Sequence, residues 1–150
     1  MISQTAEYAL RAIVFLADND GKSCTTQQIA EVTEVPAGYL SKVMQSLSRS
    51  KLVNSQRGIH GGFTLSKESS KLTVLEIINA VDPVQRIHEC PLKIANHGKN
   101  LCPLHRKLDN AAAAVETAFA ETTIDNLLAV PKSRKPLCRF PADSPDAKAE

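Results

Sequence analysis

One amphipathic segment limits the possible folds of this chain more than any other feature. Its apolar residues Leu40, Val43, Met44 and Leu47 recur at i, i+3, i+4 and i+7, which is the spacing of one buried face of an α-helix. Pro36 stands where the first turn of such a helix would begin. A short helix is stable only when its apolar face packs against other elements. We therefore expect neighbouring helices to cover this face and to leave the polar face exposed.

The residues before this segment predict two further helices. Apolar residues recur at helical spacing over residues 4–17, and the turn-forming residues 18–21 follow them. Thr25 precedes Gln28 by three residues, which is the capping-box pattern that opens a helix, here expected over residues 28–33. A short helix, a tight turn and a second helix with a basic polar face are typical of a helix-turn-helix.

A glycine-rich hairpin follows the predicted helix-turn-helix. Residues 52–56 and 63–66 are expected to form two short strands. Between them lie three glycines within five residues, with Arg57 and His60 beside them. Two strands joined by a basic, flexible tip directly after a helix-turn-helix predict a wing.

The charge of the chain is distributed unevenly. The net charge is +2, from 18 basic and 16 acidic side chains. Residues 35–67 contain no carboxylate and five basic side chains, which are Lys42, Arg49, Lys51, Arg57 and Lys67. A surface without carboxylates suits a polyanion, because each carboxylate there would repel phosphate. The alternative is a chance cluster of charges on a solvated face.

Length and composition exclude several classes of protein. The 150 residues suit one ordinary domain, and no apolar run approaches the roughly 20 residues that span a bilayer. The N-terminus lacks the pattern of a signal peptide, so we expect a cytoplasmic protein outside any membrane. Four cysteines are too few for a disulfide scaffold. Neither a nucleotide-binding glycine loop nor a nucleophile–base signature is present in the sequence, so we do not expect an enzyme.

The second half of the chain predicts two helices separated by an irregular segment. Thr73 and Glu76 form a second capping box, which opens a helix that ends before Pro83. Residues 84–104 show no sustained period, whereas residues 105–121 predict a long helix. Its apolar stripe consists of Leu108, Ala111, Ala112, Val115, Ala118 and Phe119. So thin a stripe on a long helix favours pairing with a second copy of the chain, and packing on its own domain is the alternative.

These patterns divide the chain into four parts. Residues 1–81 form a winged helix-turn-helix domain, and residues 82–104 form a loop rich in cysteine and histidine. Residues 105–130 hold the dimerisation helices, which include a last short helix. Residues 131–150 are rich in proline and charge, so we expect a disordered tail.

The irregular loop concentrates residues that bind metals. The donors are His88, Cys90, His97, Cys102 and His105. Cys102 and His105 are three residues apart, which is the usual chelating spacing. An irregular backbone imposes no fixed direction on its side chains, so these thiolate and imidazole groups can converge on one metal centre.

The chain resembles the Rrf2 family of winged-helix regulators, which includes IscR, NsrR, RirA and CymR. The matching pieces run in order over residues 1–130 and are Tyr8-Ala9-Leu10-Arg11, Ile29-Ala30, Tyr39-Leu40-Ser41-Lys42-Val43, Leu52-Val53, Arg57-Gly58 with Gly61-Gly62-Phe63, and Thr123-Ile124-Asp125-Asn126-Leu127-Leu128. The resemblance implies a mainly α fold with a small β wing, namely a winged helix-turn-helix plus a long C-terminal dimerisation helix. It also implies a homodimeric DNA-binding transcription factor, often a repressor and often a sensor of iron–sulfur status, nitric oxide or redox state.

The amphipathic helix and the wing predict the residues that contact double-stranded DNA. They are Tyr39, Ser41, Lys42, Gln45, Arg49, Arg57 and His60. Gln45 can pair bidentately with adenine, and Lys42 can donate to guanine or phosphate. Arg57 at a glycine-rich tip suits a narrow minor groove, where the potential is most negative. Two protomers would present their helices about 34 Å apart, so we expect a near-palindromic operator.

The resemblance further implies a metal-binding role for the irregular loop. Cluster-binding relatives carry three cysteines there, and Cys90 and Cys102 keep the spacing of the outer two. His97 lies near the position of the missing middle cysteine. The first interpretation is a [2Fe–2S] cluster held by both cysteines, by a nitrogen of His105 or His97, and by the carboxylate of Glu7 of the partner subunit.

Two other interpretations remain open. One is a zinc site formed by Cys90, His97, Cys102 and His105, whose donor set suits zinc although the spacing matches no standard finger. The other is a regulator without metal that responds to thiol oxidation, a small ligand or a partner protein. The remaining cysteines lie outside the loop, and we expect Cys24 to be structural and Cys138 to be an exposed, idle thiol in the tail.

Overall fold

The computed structural model describes residues 2–19, 21–91 and 101–129. The helices are α1 (Gln4–Asp18), α2 (Thr26–Thr33), α3 (Ala37–Arg49), α4 (Val74–Val81), α5 (Pro103–Glu121) and α6 (Ile124–Leu128), with a 3₁₀ turn at Ser69–Lys71. The strands β1 (Val53–Gln56) and β2 (Gly62–Leu65) form an antiparallel sheet. The prediction of a mainly helical chain with a small β wing is confirmed. Among the described residues, no helix is both long enough and apolar enough to cross a membrane.

Side-chain caps fix where the helices begin. Thr25 and Thr73 both form complete capping boxes, as their spacing to Gln28 and Glu76 predicts. Thr123 forms a third box with Asn126, which was not predicted. In each box the threonine oxygen accepts a hydrogen bond from a backbone N–H that the helix itself cannot satisfy.

Helix α1 lies at the centre of the core. It contacts α2, α3, α4, α6 and β2. Ala6, Ala9 and Ala12 are fully buried, and such small side chains let neighbouring helices approach closely. Leu40, Met44 and Leu47 of α3 are also fully buried, as the amphipathic pattern predicts.

The wing is tied to the helical core at its second strand. Phe63 exchanges two backbone hydrogen bonds with Cys24, at N–O distances of 3.0 and 2.8 Å. The bonds join β2 to the segment that leads into α2. Cys24 is buried, and burial raises the pKa of its thiol even though the nearby charge of Lys22 lowers it. These contacts support the expected structural role of Cys24.

The two C-terminal helices differ in how deeply they pack: α5 lies at the surface against α4, whereas α6 packs into the core. Helix α5 begins at Pro103, two residues before the predicted start, because Cys102 takes the N-cap position. None of its residues is buried. The chain then rejoins the core, where the N–H of Ile124 donates to the carbonyl of Leu72 at 2.9 Å and the Ile124 side chain is fully buried. The division into four parts stays a prediction, and the tail from residue 131 lies outside the described residues.

Replacing Gly62 by alanine tests how the wing is anchored. A Cβ atom at residue 62 would lie 2.6 Å from the carbonyl oxygen of Cys24, and the φ of +153° is one that residues with side chains rarely adopt. We expect the Gly62→Ala substitution to lower the free energy of unfolding by about 1–3 kcal/mol, measured by urea denaturation.

Gly38→Ala is the matched control. A Cβ atom at residue 38 would meet nothing within 4 Å, and the residue lies in α3, where alanine is the better helix former. We expect no loss of stability in this variant. Equal losses in both variants would contradict the proposed anchor.

Candidate nucleic-acid interface and metal centre

The polar face of α3 is presented to solvent. Lys42, Gln45 and Arg49 are exposed and lie at i, i+3 and i+7, opposite the buried stripe. Within the described part of the chain, none of the three side chains forms an ion pair or a side-chain hydrogen bond. The polar face of α3 is thus exposed, as the amphipathic pattern predicts, and contact of these three residues with DNA stays a prediction.

Tyr39 and Ser41 already make contacts within the protein. The Tyr39 hydroxyl lies 2.5 Å from Oγ1 of Thr5, and its ring packs edge-on against Tyr8 at 5.5 Å between centroids. Ser41 Oγ donates to the carbonyl of Ala37 at 3.0 Å. One hydroxyl proton of the Tyr39–Thr5 pair remains free because a single hydrogen bond joins two hydroxyl groups. The pair thus links the start of α3 to α1, and one of its two hydroxyl groups can still donate to a phosphate.

The wing tip projects into solvent. Arg57 and His60 are exposed, and the turn between them is closed by a hydrogen bond from the N–H of Gly61 to the carbonyl of Gly58 at 2.9 Å. The φ of Gly58 is +109°, a conformation that favours glycine. Ile59 at the tip is 99% exposed. Sequence analysis placed residue 59 in the tip between the two strands and gave it no role.

One of the five basic residues in the carboxylate-free stretch is neutralised in the fold. Lys67 Nζ lies 2.5 Å from Oε1 of Glu76 on α4. Burial opposes ionisation of Glu76, but hydrogen bonds from Lys67 and Thr73 hold its pKa below the usual range. Within the described chain the other four basic side chains, those of Lys42, Arg49, Lys51 and Arg57, form no ion pair.

The structure brings together three of the predicted metal ligands. The Sγ atoms of Cys90 and Cys102 and a ring nitrogen of His105 all lie within 4.8 Å of one another. The Nδ1 atom of His105 is 3.1 Å from Cys102 Sγ and 3.7 Å from Cys90 Sγ. Cys90 is buried, and the other two residues are half-buried. We call these residues the donor group.

The donor group fits a metal by chemistry and by spacing. Two thiolates and one imidazole suit zinc or an iron–sulfur centre. In a tetrahedral site, donors bonded at about 2.3 Å (sulfur) and 2.0 Å (nitrogen) lie about 3.5–3.8 Å apart. The described residues supply three donors to this group, and a four-coordinate site requires a fourth.

The other predicted ligands are not part of the donor group. His97 lies outside the described residues. Glu7 lies on α1, where it forms an ion pair with Arg11 one turn away. Arg11 also donates to the carbonyl of Thr33 at 3.2 Å, which ties α1 to the end of α2. Glu7 as a ligand for a partner subunit therefore stays a prediction.

A charged cluster fastens the segment before Cys90 to α5. Arg86 donates from Nε and Nη2 to the two carboxylate oxygens of Asp109, at 2.7 and 2.8 Å, and from Nη1 to Glu116 at 2.6 Å. The N–H of Ile87 donates to Asp109 at 2.9 Å. The guanidinium of Arg86 is the main reason that the pKa of Asp109 is held well below its usual range, and these carboxylates raise the pKa of Arg86. We call Arg86, Asp109 and Glu116 the Arg86 clamp.

Sequence analysis did not predict the Arg86 clamp. Arg86 and Asp109 are separated by 23 positions in the chain, and Arg86 and Glu116 by 30. No local pattern links residues so far apart. Asp109 and Glu116 lie at i and i+7 of a helix, so they share one face. This negative face is the sequence signal that could have indicated a cationic partner.

Residues 2–130 match the Rrf2 family, which is described as an iron-dependent transcriptional regulator. The chain belongs to the Rrf2 family. A helix-turn-helix transcriptional regulator of Aquifex aeolicus (strain VF5) is 34% identical over 131 residues, which cover 85% of this chain and 91% of that protein. The transcriptional regulator NsrR of Oceanobacillus iheyensis is 28% identical over 130 residues, covering 85% and 88%.

Solved structures share the fold. CymR, the global cysteine regulator of B. subtilis, superposes with a TM-score of 0.71 at 25% identity and covers 85% of this chain and 95% of its own. IscR of T. potens superposes with a TM-score of 0.70 at 21% identity, covering 85% of each chain, and supports the fold alone. The predicted family and the winged-helix fold are confirmed. This Rrf2 protein is therefore a transcriptional regulator, and the relatives named here are regulators rather than enzymes.

Proposed function

We propose that this Rrf2 regulator is a cytoplasmic, homodimeric repressor whose binding to a near-palindromic operator is controlled by an iron–sulfur cluster, of the [2Fe–2S] type. The observation that carries the proposal is the donor group, in which two thiols and an imidazole converge between the winged domain and α5. Thiolate and imidazole groups that converge in this way are the ligands that iron–sulfur and zinc centres use.

The surface proposed to bind DNA combines α3 with the wing. Its members are Tyr39, Ser41, Lys42, Gln45, Arg49, Arg57 and His60. Exposed donors without internal partners on α3, together with an exposed arginine at a glycine-rich tip, support this assignment. The α3 residues would read the major groove, while Arg57 and His60 would enter the adjacent minor groove.

The proposed dimer pairs the α5 helices of two protomers. Leu104 and Leu108 of α5 are 64% and 51% exposed, which is unusual for leucines on a long helix. Ala111 and Val115 on the same helix line an apolar groove of about 570 Å³ against the end of α4. A second copy of α5 would bury this surface. In a two-fold dimer the apolar stripe of one protomer contacts the same stripe of its partner.

In the proposed cluster site, Cys90, Cys102 and His105 are ligands, and Glu7 of the partner subunit supplies the fourth. His97 is the alternative nitrogen donor. A bound iron–sulfur cluster would supply a reversible one-electron change. The donor group joins the loop after α4 to the first turn of α5. Binding or loss of the cluster would therefore shift the population between two dimer geometries that differ in the spacing of the α3 helices.

A single zinc ion is the second candidate for this site. The separations of 3.1 and 3.7 Å within the donor group favour it, since they are close to those around one metal ion, whereas a cluster spreads its ligands over two irons. Zinc would act through structure alone, because it has no redox chemistry. The DNA-binding proposal is the same for both metals.

Replacing Arg57 by alanine tests the wing contact. We expect weaker operator binding, because one phosphate or minor-groove contact is lost. The negative slope of log K against log salt concentration should decrease in magnitude by about 1. Fluorescence anisotropy at four salt concentrations measures both quantities. Lys107→Ala removes the same charge from the exposed surface of α5 and should leave the slope unchanged. Equal binding by wild type and Arg57→Ala at every salt concentration would rule out the wing contact.

Visible absorption of anaerobically purified protein, with iron and sulfide analysis, tests the metal centre. We expect a coloured protein that contains iron and acid-labile sulfide, and loss of the colour in Cys90→Ser and in Cys102→Ser, because each removes a thiolate ligand. Cys24→Ser is the control, since Cys24 is buried beneath the wing and should leave the spectrum unchanged. Colourless protein that contains stoichiometric zinc would contradict the cluster and support the single zinc ion instead. A colour that survives both loop substitutions would contradict the site.

A further inference from the structure

The segment that carries Cys90 has few backbone hydrogen bonds to hold its position, although Val84 within it packs against the core. Residues 83–91 follow α4 without forming a helix or strand. Across residues 83–89, no backbone group bonds to another backbone group in the described part of the chain. An irregular segment of this kind loses its order easily because few hydrogen bonds oppose its conformational entropy.

The Arg86 clamp attaches this segment to α5 through side-chain hydrogen bonds. Its bidentate bonds to Asp109 use the fork geometry of the guanidinium, which fixes direction as well as distance. The N–H of Ile87 adds a second bond to the same carboxylate, so the backbone as well as a side chain is fastened. The side chains of Arg86 and Asp109 are only 28% and 15% exposed, which limits competition from water.

The clamp acts on the same face of α5 that holds the donor group. Asp109 follows His105 by four positions, so the two side chains lie on the same face, one turn apart. Cys90 follows Arg86 by four residues. The bonds between Arg86 and Asp109 therefore bring residue 86 close to His105, and Cys90 is only four positions further along the chain. The Cys90 Sγ atom lies 3.7 Å from Nδ1 of His105.

We propose that Arg86 is a positioning residue, whose pairing with Asp109 and Glu116 holds the Cys90 thiol within reach of Cys102 and His105. This inference rests on the proposed function for its biological purpose, because a preorganised donor group binds metal more tightly. Arginine is required rather than any cation, since a lysine ammonium cannot bridge both oxygens of one carboxylate and reach a second one.

The proximity of the two thiols can be measured on metal-free, full-length protein. In a glutathione redox buffer, the two thiols and one glutathione disulfide exchange to give a Cys90–Cys102 disulfide and two reduced glutathiones. The equilibrium constant reports the effective concentration of one thiol at the other. Tryptic peptides 87–93 and 100–106 of wild type, joined by the disulfide, identify the pair by mass spectrometry.

Arg86→Gln and Asp109→Asn should each lower this effective concentration about tenfold, because each removes the charge-assisted bonds of the clamp. Arg86→Lys should lie between wild type and Arg86→Gln. Arg106→Gln is the matched control, since Arg106 is exposed on α5 and its side chain forms no hydrogen bond or ion pair within the described residues. Thermal unfolding of each variant shows whether the winged domain remains folded, and Asp109→Asn provides a second test if Arg86→Gln does not fold.

A competition titration with Zn²⁺ against a coloured chelator gives the second readout. We expect the zinc affinity of Arg86→Gln and Asp109→Asn to fall by about the same factor as the effective concentration of one thiol at the other. Unchanged thiol proximity in both folded variants, or an equal loss in Arg106→Gln, would overturn the inference. A wild-type protein that binds neither zinc nor a cluster would defeat the proposed metal centre instead, while the glutathione measurement would still decide whether Arg86 positions Cys90.

Discussion

The burial of one face of α3 is the constraint on which the rest of the structure depends. Leu40, Met44 and Leu47 are wholly enclosed, and each such side chain stabilises the fold by about 1.5–3 kcal/mol. Exposed ion pairs contribute at most about 1 kcal/mol each, so packing rather than surface charge sets the rotation of this helix. With the apolar face fixed inward, Lys42 and Gln45 must face outward. The proposed DNA-binding surface is thus a consequence of the core.

A second constraint acts around α5, where charged contacts add to a limited amount of packing. Helix α5 has no buried residue, and the segment before Cys90 has no regular structure. The Arg86 clamp is the contact that fastens one to the other. A segment held mainly by a few charged contacts is easily disturbed, which would suit the proposed site, where metal binding changes the protein.

Local signals explain how much the sequence could predict. The helices of the winged domain, two of the capping boxes and the wing follow from spacing within ten residues, and the structure contains all of them. The pairing of Cys102 with His105 also follows from spacing. The start of α5 was missed because cysteine is an uncommon N-cap. The approach of Cys90 to Cys102 and His105 was expected from the family resemblance. The Arg86–Asp109 pair beside it could not be predicted, because the two residues are distant in sequence. Lys67 was listed among the five basic side chains of the carboxylate-free stretch, and its pairing with Glu76 was not predicted because Glu76 lies on another element.

Selection of binding sites from a random library of duplex DNA tests the central claim most directly, because it assumes no operator. Purified protein should enrich a near-palindromic sequence whose half-sites are centred one or more helical turns apart, with about 10 base pairs per turn. Such a motif would follow from two copies of the α3 surface related by a two-fold axis. A library that shows no enriched sequence, whether the protein is purified with or without its metal, would contradict the account.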